Sequence, residues 1–136
     1  MECISVFDML KIGVGPSSSH TLGPWRASER WINELKSSNK FTKVDKITVD
    51  LYGSLSLTGK GHATDLAIIL GLSGADPETI PTETMTNVIA SVKNTKTLFF
   101  NNEKPLGFHP ETDIVYNRKF LPFHANGIKF TATIND

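Results

Sequence analysis

The sequence is short of several features that would assign it to a specialised class of protein. It contains one cysteine, Cys3, and its 14 basic side chains are balanced by 14 acidic ones. One thiol cannot form an internal disulfide, and an iron–sulfur cluster needs three or four thiolates. Because proteins that bind the phosphate backbone of nucleic acid usually have an excess of basic residues, the charge balance argues against nucleic acid as the main partner.

Long apolar segments are also missing. No run approaches the roughly 18–20 apolar residues of a membrane-spanning helix. The first residues, MECIS, lack the basic segment and apolar stretch of a secretory signal. The four histidines and Cys3 do not have the local spacing of zinc motifs. We therefore expect a cytoplasmic protein in a reducing compartment, with neither a membrane nor nucleic acid among its partners.

The patterns that are present predict a single α+β domain over residues 1–136, with helices packed on a mixed or antiparallel sheet. Helices are predicted over about residues 24–36, 62–72 and 82–93, and strands over 46–52, 97–100, 113–116 and 127–134. Residues 5–10 are predicted to form a short helical turn capped by Ser5. The chain stops directly after a strand, which is consistent either with a domain of something longer or with a simple terminal strand.

The first segment that suggests chemistry is GVGPSSSHT, residues 13–21. Glycine and proline interrupt regular structure there, just before the helix predicted from Pro24. Backbone N–H groups at a helix start attract carboxylate or phosphate, and serine hydroxyls add donors. A histidine in that field tends to stay neutral and can act as a base. The segment is either a carboxylate cradle beside a proton-transfer group or a serine-rich turn that caps the helix.

The second segment is GSLSLTGKGHATD, residues 53–65, which follows a strand and opens a helix. It fails the nucleotide phosphate-loop pattern, because Ser54 stands in place of the first glycine and Gly61 in place of the hydroxyl residue. What remains is a glycine-flanked loop whose backbone can approach a ligand closely. His62, Thr64 and Asp65 would lie at the start of the helix that follows this loop, either in contact with a ligand or as simple N-terminal caps.

The third segment is LPFHANG, residues 121–127. The Asn126–Gly127 pair is a turn signal before a strand. The local sequence favours the interpretation that His124 and Asn126 are only turn residues without a role in a site.

Together these segments, with SVFD at residues 5–8, resemble the β region of bacterial iron–sulfur L-serine dehydratases. The resemblance covers nearly the whole chain. It implies conversion of L-serine to pyruvate and ammonia with a [4Fe-4S] cluster, which is bound by a separate α region and not by this chain. It also implies a fold like an allosteric, amino-acid-binding domain. Because no set of cluster-binding cysteines is present, we expect a β subunit or N-terminal region that is inactive without the α region.

The resemblance also implies roles for particular residues. His20 and His62 are the candidates for proton transfer, and which of them is the base stays open. The candidates for substrate binding are Ser17, Ser18, Ser19, Thr21, Thr64, Asp65, His124 and Asn126. No residue of the chain is expected to bind metal.

Two other interpretations remain open. The domain could be a regulatory module that senses serine or a related amino acid, or a structural module that only docks the α region. A sensor has no need of two imidazoles beside a carboxylate cradle, whereas a catalytic partner does. A docking face for the α region would also allow the isolated domain to form a homodimer.

Overall fold

The computed structural model describes residues 2–10, 22–53, 56, 63–117 and 126–134, with the backbone alone at 2, 7–10, 63 and 126. The strands are β1 (Glu2–Leu10), β2 (Val44–Tyr52), β3 (Thr97–Phe100), β4 (Lys104–Gly107), β5 (Ile114–Tyr116) and β6 (Asn126–Ile134). The helices are α1 (Gly23–Ser37), α2 (Ala63–Leu72), α3 (Thr82–Thr95) and α4 (Pro110–Asp113), with a 3-10 turn at Phe41–Lys43. Within these residues, no helix has the length and apolarity needed to cross a bilayer.

The strands form one mixed sheet and one small hairpin. The main sheet has the order β1-β6-β2-β5, and β3 pairs with β4 in a separate two-stranded sheet. Strand β6 runs antiparallel to both β1 and β2, whereas β5 runs parallel to β2. The fold is therefore α+β with a mixed sheet, as the sequence predicted.

One face of the main sheet carries the core. Alternate residues of β2 and β6 on that face, such as Val49 and Phe130, are fully buried. Trp31 of α1 stacks on Phe130 with ring centroids 4.9 Å apart and planes 14° from parallel. The opposite face carries half-exposed polar residues such as Thr48 and Thr131. This alternation is typical of a sheet covered by helices on one side.

Local sequence explains where α1 begins. Pro24 occupies the first turn of α1, where its missing N–H costs no hydrogen bond.

Helix α2 is apolar around most of its circumference, with Ile68, Ile69 and Leu72 fully buried. A short helix that is apolar on all sides is stable only when other elements surround it. Helix α2 accordingly packs against α1, α3 and β3.

The prediction of a capped helical turn at residues 5–10 is wrong. These residues belong to β1, which pairs with β6 along its whole length. The Ser5 hydroxyl lies 3.0 Å from the Thr131 hydroxyl across the ladder, so it does not cap a helix. A partner strand from the other end of the chain supplies the backbone hydrogen bonds, and this outweighs the local capping signal.

Several element boundaries also differ by one or two residues from the sequence prediction. The strand predicted from Asp113 begins at Ile114, because the Asp113 carboxylate accepts a hydrogen bond from the His109 backbone N–H (2.8 Å) and closes the turn of α4. Asn126 and Gly127 both lie within β6, so they do not form a turn before it. Strand β4, helix α4 and the 3-10 turn had no predicted counterpart.

Candidate active site

Four strand ends meet at one end of the main sheet, which we call the motif end. Leu10, the last residue of β1, pairs with Asn126, the first residue of β6. Tyr52, which ends β2, pairs with Gly127. Tyr116, which ends β5, pairs with Leu51 in the parallel ladder. The carboxyl ends of β1, β2 and β5 and the start of β6 therefore lie side by side.

All three sequence motifs connect to the motif end. Residues 13–21 follow β1, residues 53–65 join β2 to α2, and residues 121–127 lead into β6. Most of the predicted site residues lie outside the described residues: Ser17, Ser18, Ser19, His20, Thr21, His62 and His124. The structure describes Thr64, Asp65 and the backbone of Asn126. Their proposed roles stay predictions, and the chain connectivity links all of them to one end of the sheet.

The first turn of α2 carries the two predicted site residues whose side chains are described. Thr64 is buried, with 1% of its surface exposed, and Asp65 is half-buried. Asp65 Oδ1 accepts a hydrogen bond from the Leu66 backbone N–H at 2.9 Å. A carboxylate in the first turn of a helix is stabilised by the partial positive charge of the helix start.

Tyr116, which no sequence motif indicated, lies half-buried at the end of β5. Burial of the phenol, reinforced by the negative charge of Asp65, raises the pKa of Tyr116 to about 12. Like an ordinary tyrosine, it is protonated at neutral pH and can donate a hydrogen bond. Tyr116 stands in no recognisable motif. Only the parallel pairing of β5 with β2 brings it to the motif end.

A second polar group at the motif end joins β2 to the residue after β5. The Asn117 backbone N–H donates to the Leu51 carbonyl oxygen at 3.0 Å, which extends the parallel ladder by one bond. The Asn117 side-chain amide donates to Asp50 Oδ1 at 3.3 Å and to the Leu51 carbonyl at 3.2 Å. Burial, followed by the negative charge of Asp50, raises the pKa of Tyr52. These contacts fix the two strand ends relative to each other.

The first residue of the second motif, Gly53, has a backbone conformation that explains why it is glycine. Gly53 is buried and has a φ of +72°, a conformation that other residues adopt only with strain. Its carbonyl oxygen accepts a hydrogen bond from the Ser56 backbone N–H at 3.0 Å. The residue that follows β2 at the motif end therefore has a backbone conformation that favours glycine.

The described residues do not form a metal site. Within ranges 2–10, 22–53 and 63–117, residue 56 and the last strand, no group of three His, Cys, Asp or Glu residues could hold a metal ion. Cys3 is exposed on β1, with its sulfur 3.9 Å from the Thr133 hydroxyl. The lone thiol therefore lies beside a hydroxyl in the sheet, at the start of β1 rather than at the motif end.

Comparison with known proteins gives a consistent result. The model of the serine dehydratase beta chain family matches residues 5–136. An L-serine dehydratase of Haemophilus influenzae is 46% identical over 130 residues, which are 95% of this chain and 29% of that protein. The L-serine dehydratase TdcG of Escherichia coli is 45% identical over the same shares of both proteins. L-serine dehydratase 2 of Escherichia coli is 41% identical over 98% of this chain and 30% of its own length.

The chain spans somewhat under a third of the length of the curated relatives that it matches. The family model, by contrast, covers nearly all of the chain, including every motif at the motif end. By sequence and by length of match, the chain belongs to the serine dehydratase beta chain family.

Proposed function

We propose that this chain is the β region of an L-serine dehydratase, which converts L-serine to pyruvate and ammonia together with a [4Fe-4S]-bearing α region. In this proposal the chain supplies substrate-binding and proton-transfer groups to a shared active site in the cytoplasm. The observation that carries the proposal is the meeting of β1, β2, β5 and β6 at the motif end, where all three motifs connect. Family membership supports the choice of reaction.

The reaction requires a group that removes a proton and groups that bind the substrate carboxylate, and residues of the three motifs can supply both. Loss of water from serine needs the α-proton to be removed, and a neutral imidazole with a pKa near the working pH is suited to this. The substrate carboxylate needs fixed hydrogen-bond donors, such as backbone N–H groups and hydroxyls before a helix. We assign proton removal to His20 or His62. We assign binding of the carboxylate to Ser17, Ser18, Ser19 and Thr21. Thr64, Asp65, His124 and Asn126 complete the pocket.

The described polar groups at the motif end fit this role. The Tyr116 phenol is protonated at neutral pH, and Asp65 lies near enough to raise its pKa. A hydrogen-bond donor and an acceptor at the same end of the sheet can orient a zwitterionic amino acid or a neighbouring imidazole. We therefore place Tyr116 and Asp65 at the border of the proposed pocket.

The residues of this chain do not fit a cluster site. The chain has one cysteine, and Cys3 lies in β1 beside Thr133, with no cluster of metal-ligating side chains among the described residues. The proposal therefore assigns the [4Fe-4S] cluster to the α region. It assigns only binding and proton transfer to the residues of this chain.

The test is anaerobic assembly of this chain with a cysteine-bearing α region, followed by measurement of pyruvate released from L-serine. We expect activity to need both pieces. Replacing the general base should lower turnover on the order of 100-fold or more, so His62→Ala or His20→Ala should show that loss. His109→Ala is the matched control, because His109 is exposed beside α4 and lies outside all three motifs.

Two outcomes would contradict the proposal. If the α region alone converted L-serine equally well, this chain would have a regulatory or docking role. If both histidine variants assembled with normal turnover, the motif histidines would not transfer protons. Calorimetric titration of the isolated chain with L-serine would then distinguish an amino-acid sensor, which binds serine, from a docking module, which does not.

A further inference from the structure

Helix α3 is the least packed helix of appreciable length in the described part of the chain. Of its fourteen residues only Val92 is buried, whereas α1 buries seven of its fifteen. Its apolar residues Met85, Val88 and Ile89 are only half-buried. Because most helical stability in proteins comes from tertiary packing, a helix with so little burial needs another source of stability.

Intrinsic propensity does not supply that stability. The sequence of α3, TETMTNVIASVKNT, contains four threonines, two asparagines, two valines, one isoleucine and one serine. These residues are weak helix formers, because they are branched at Cβ or compete for backbone hydrogen bonds. No side chain caps the N-terminus of the helix either. We would expect such a segment to gain much of its order from a surface that covers it.

The surface of α3 that faces β3 has the chemistry of an interface. A groove of about 330 Å³ lies between the two elements, and its lining includes the apolar Val88 and Val92 and the polar Asn87, Ser91 and Thr97. Among the described residues, no charged side chain lines the groove. Phe99, at one side of the groove, is 48% exposed, which is unusual for a large apolar residue of the described chain. Interface centres are typically poor in charge and enriched in aromatic residues.

The groove is too exposed to enclose a small molecule, because the side chains along its rim are themselves exposed. Small-molecule sites usually bury most of the surface of their ligand. A protein surface is the better fit, and the relatives indicate which one. More than two thirds of the Haemophilus influenzae relative lies outside the region that this chain matches, and that match includes 95% of the chain.

We infer that the groove between α3 and β3 is the docking surface for the remaining region of the dehydratase, which inserts uncharged, partly apolar side chains against Phe99. This inference rests on the proposed function, since it requires that partner region. Helix α2 connects the two surfaces: its first turn holds Asp65, and the residue after its end, Ser73, lines the groove. Docking there requires the partner region to extend along α2 to the motif end, where the shared active site is proposed.

The test measures the affinity of this chain for the remaining region of the Haemophilus influenzae relative, produced as a separate polypeptide under anaerobic conditions. Ser91→Lys places a charge in the groove, and we expect it to weaken binding at least about 10-fold, because an unpaired charge at an interface is costly to bury. Phe99→Ser should weaken binding similarly by removing the apolar anchor. Ala90→Lys is the matched control, since Ala90 is exposed, adjacent on α3 and outside the groove.

Amide hydrogen exchange gives a readout that needs no substitution. On assembly we expect residues 82–95 to become protected, and circular dichroism would confirm that each variant is folded. Equal affinity for all variants, with no new protection of α3, would overturn the inference. So would a self-associating chain whose dimer is broken by Ser91→Lys, since the occupant would then be a second copy. Failure of the proposed function looks different: the wild-type pieces would bind, with the protection described, and yet give no pyruvate.

Discussion

Gly71 of α2 lies directly against Ser28 of α1. A Cβ atom at position 71 would be 2.8 Å from Ser28 Cβ and 2.9 Å from the Trp25 carbonyl oxygen. Ser28 is itself fully buried and donates a hydrogen bond to the Pro24 carbonyl at 2.9 Å. Glycine therefore sets the distance between the two helices that follow the first and second motifs.

Gly71→Ala should consequently destabilise the chain. The added methyl group meets backbone and a buried side chain, so the helices must move apart, at a cost of about 1–3 kcal/mol. Chemical denaturation monitored by circular dichroism measures the change. Gly107→Ala is the control, because no heavy atom lies within 4 Å of a Cβ at that position. Equal free energies of unfolding for the two variants would contradict the packing described.

The second prediction concerns ionisation of Tyr116. The chain has two tyrosines, so Tyr52→Phe leaves Tyr116 as the sole phenol. Its tyrosinate absorbance should rise with a midpoint near pH 12, and Asp65→Asn should lower that midpoint by removing the second cause of the shift. Asp50→Asn in the same background should leave the midpoint in place, since Asp50 acts on Tyr52. A midpoint of about 10 while circular dichroism shows a folded chain would refute the proximity of Asp65 and the burial of the phenol.

The same shift has a consequence for stability. The folded chain holds the pKa of Tyr116 above its ordinary value of 10, so the unfolded chain loses this proton first as the pH rises. The contribution of the neutral phenol to the free energy of unfolding is complete below pH 10 and is lost between about pH 10 and 12. Unfolding of the wild-type chain should become easier over that interval. Tyr116→Phe should show a smaller pH dependence there.

The third prediction concerns the lysine that holds the β3–β4 hairpin to the start of β2. Lys104 Nζ donates to the Thr42 and Val44 carbonyl oxygens, each at 2.8 Å. Lys104→Met keeps the aliphatic stem and removes both bonds, so we expect a loss of about 1–2 kcal/mol in the free energy of unfolding. Lys93→Met on exposed α3 should change it little. If both substitutions have the same effect, the ammonium contacts do not stabilise the hairpin.

The fourth prediction tests Thr64 as a substrate-binding residue. Thr64→Val preserves shape and removes the hydroxyl, so in the assembled enzyme it should raise KM for L-serine about 10-fold, as expected for one lost hydrogen bond. Thr64→Ser retains the hydroxyl and should keep KM near that of the wild type. A lower melting temperature of Thr64→Val with unchanged KM would instead give Thr64 a structural role, in keeping with its burial.

How far the sequence leads can be judged at α1 and β1. Pro24 and the spacing of Trp25, Ile32 and Leu35 predicted α1, and all four residues are buried in it. For β1, Ser5 looked like a helix cap, yet the residue faces Thr131 in an antiparallel ladder. The signal for α1 lies within the helix, whereas the pairing of β1 depends on β6, at the other end of the chain.

By itself the sequence determined the α+β class, the main helices, the strands other than β1 and β4, the family and the motifs that indicate the site. These follow from periodicity and from residue types that act over a few positions. The tertiary structure alone decided that β5 runs parallel to β2, and thereby that Tyr116 and Asn117 join Asp50 and Asp65 at the motif end. It also decided that α3 remains thinly packed. Strand order and helix burial depend on which distant surfaces fit each other, and no local pattern in the chain encodes that fit.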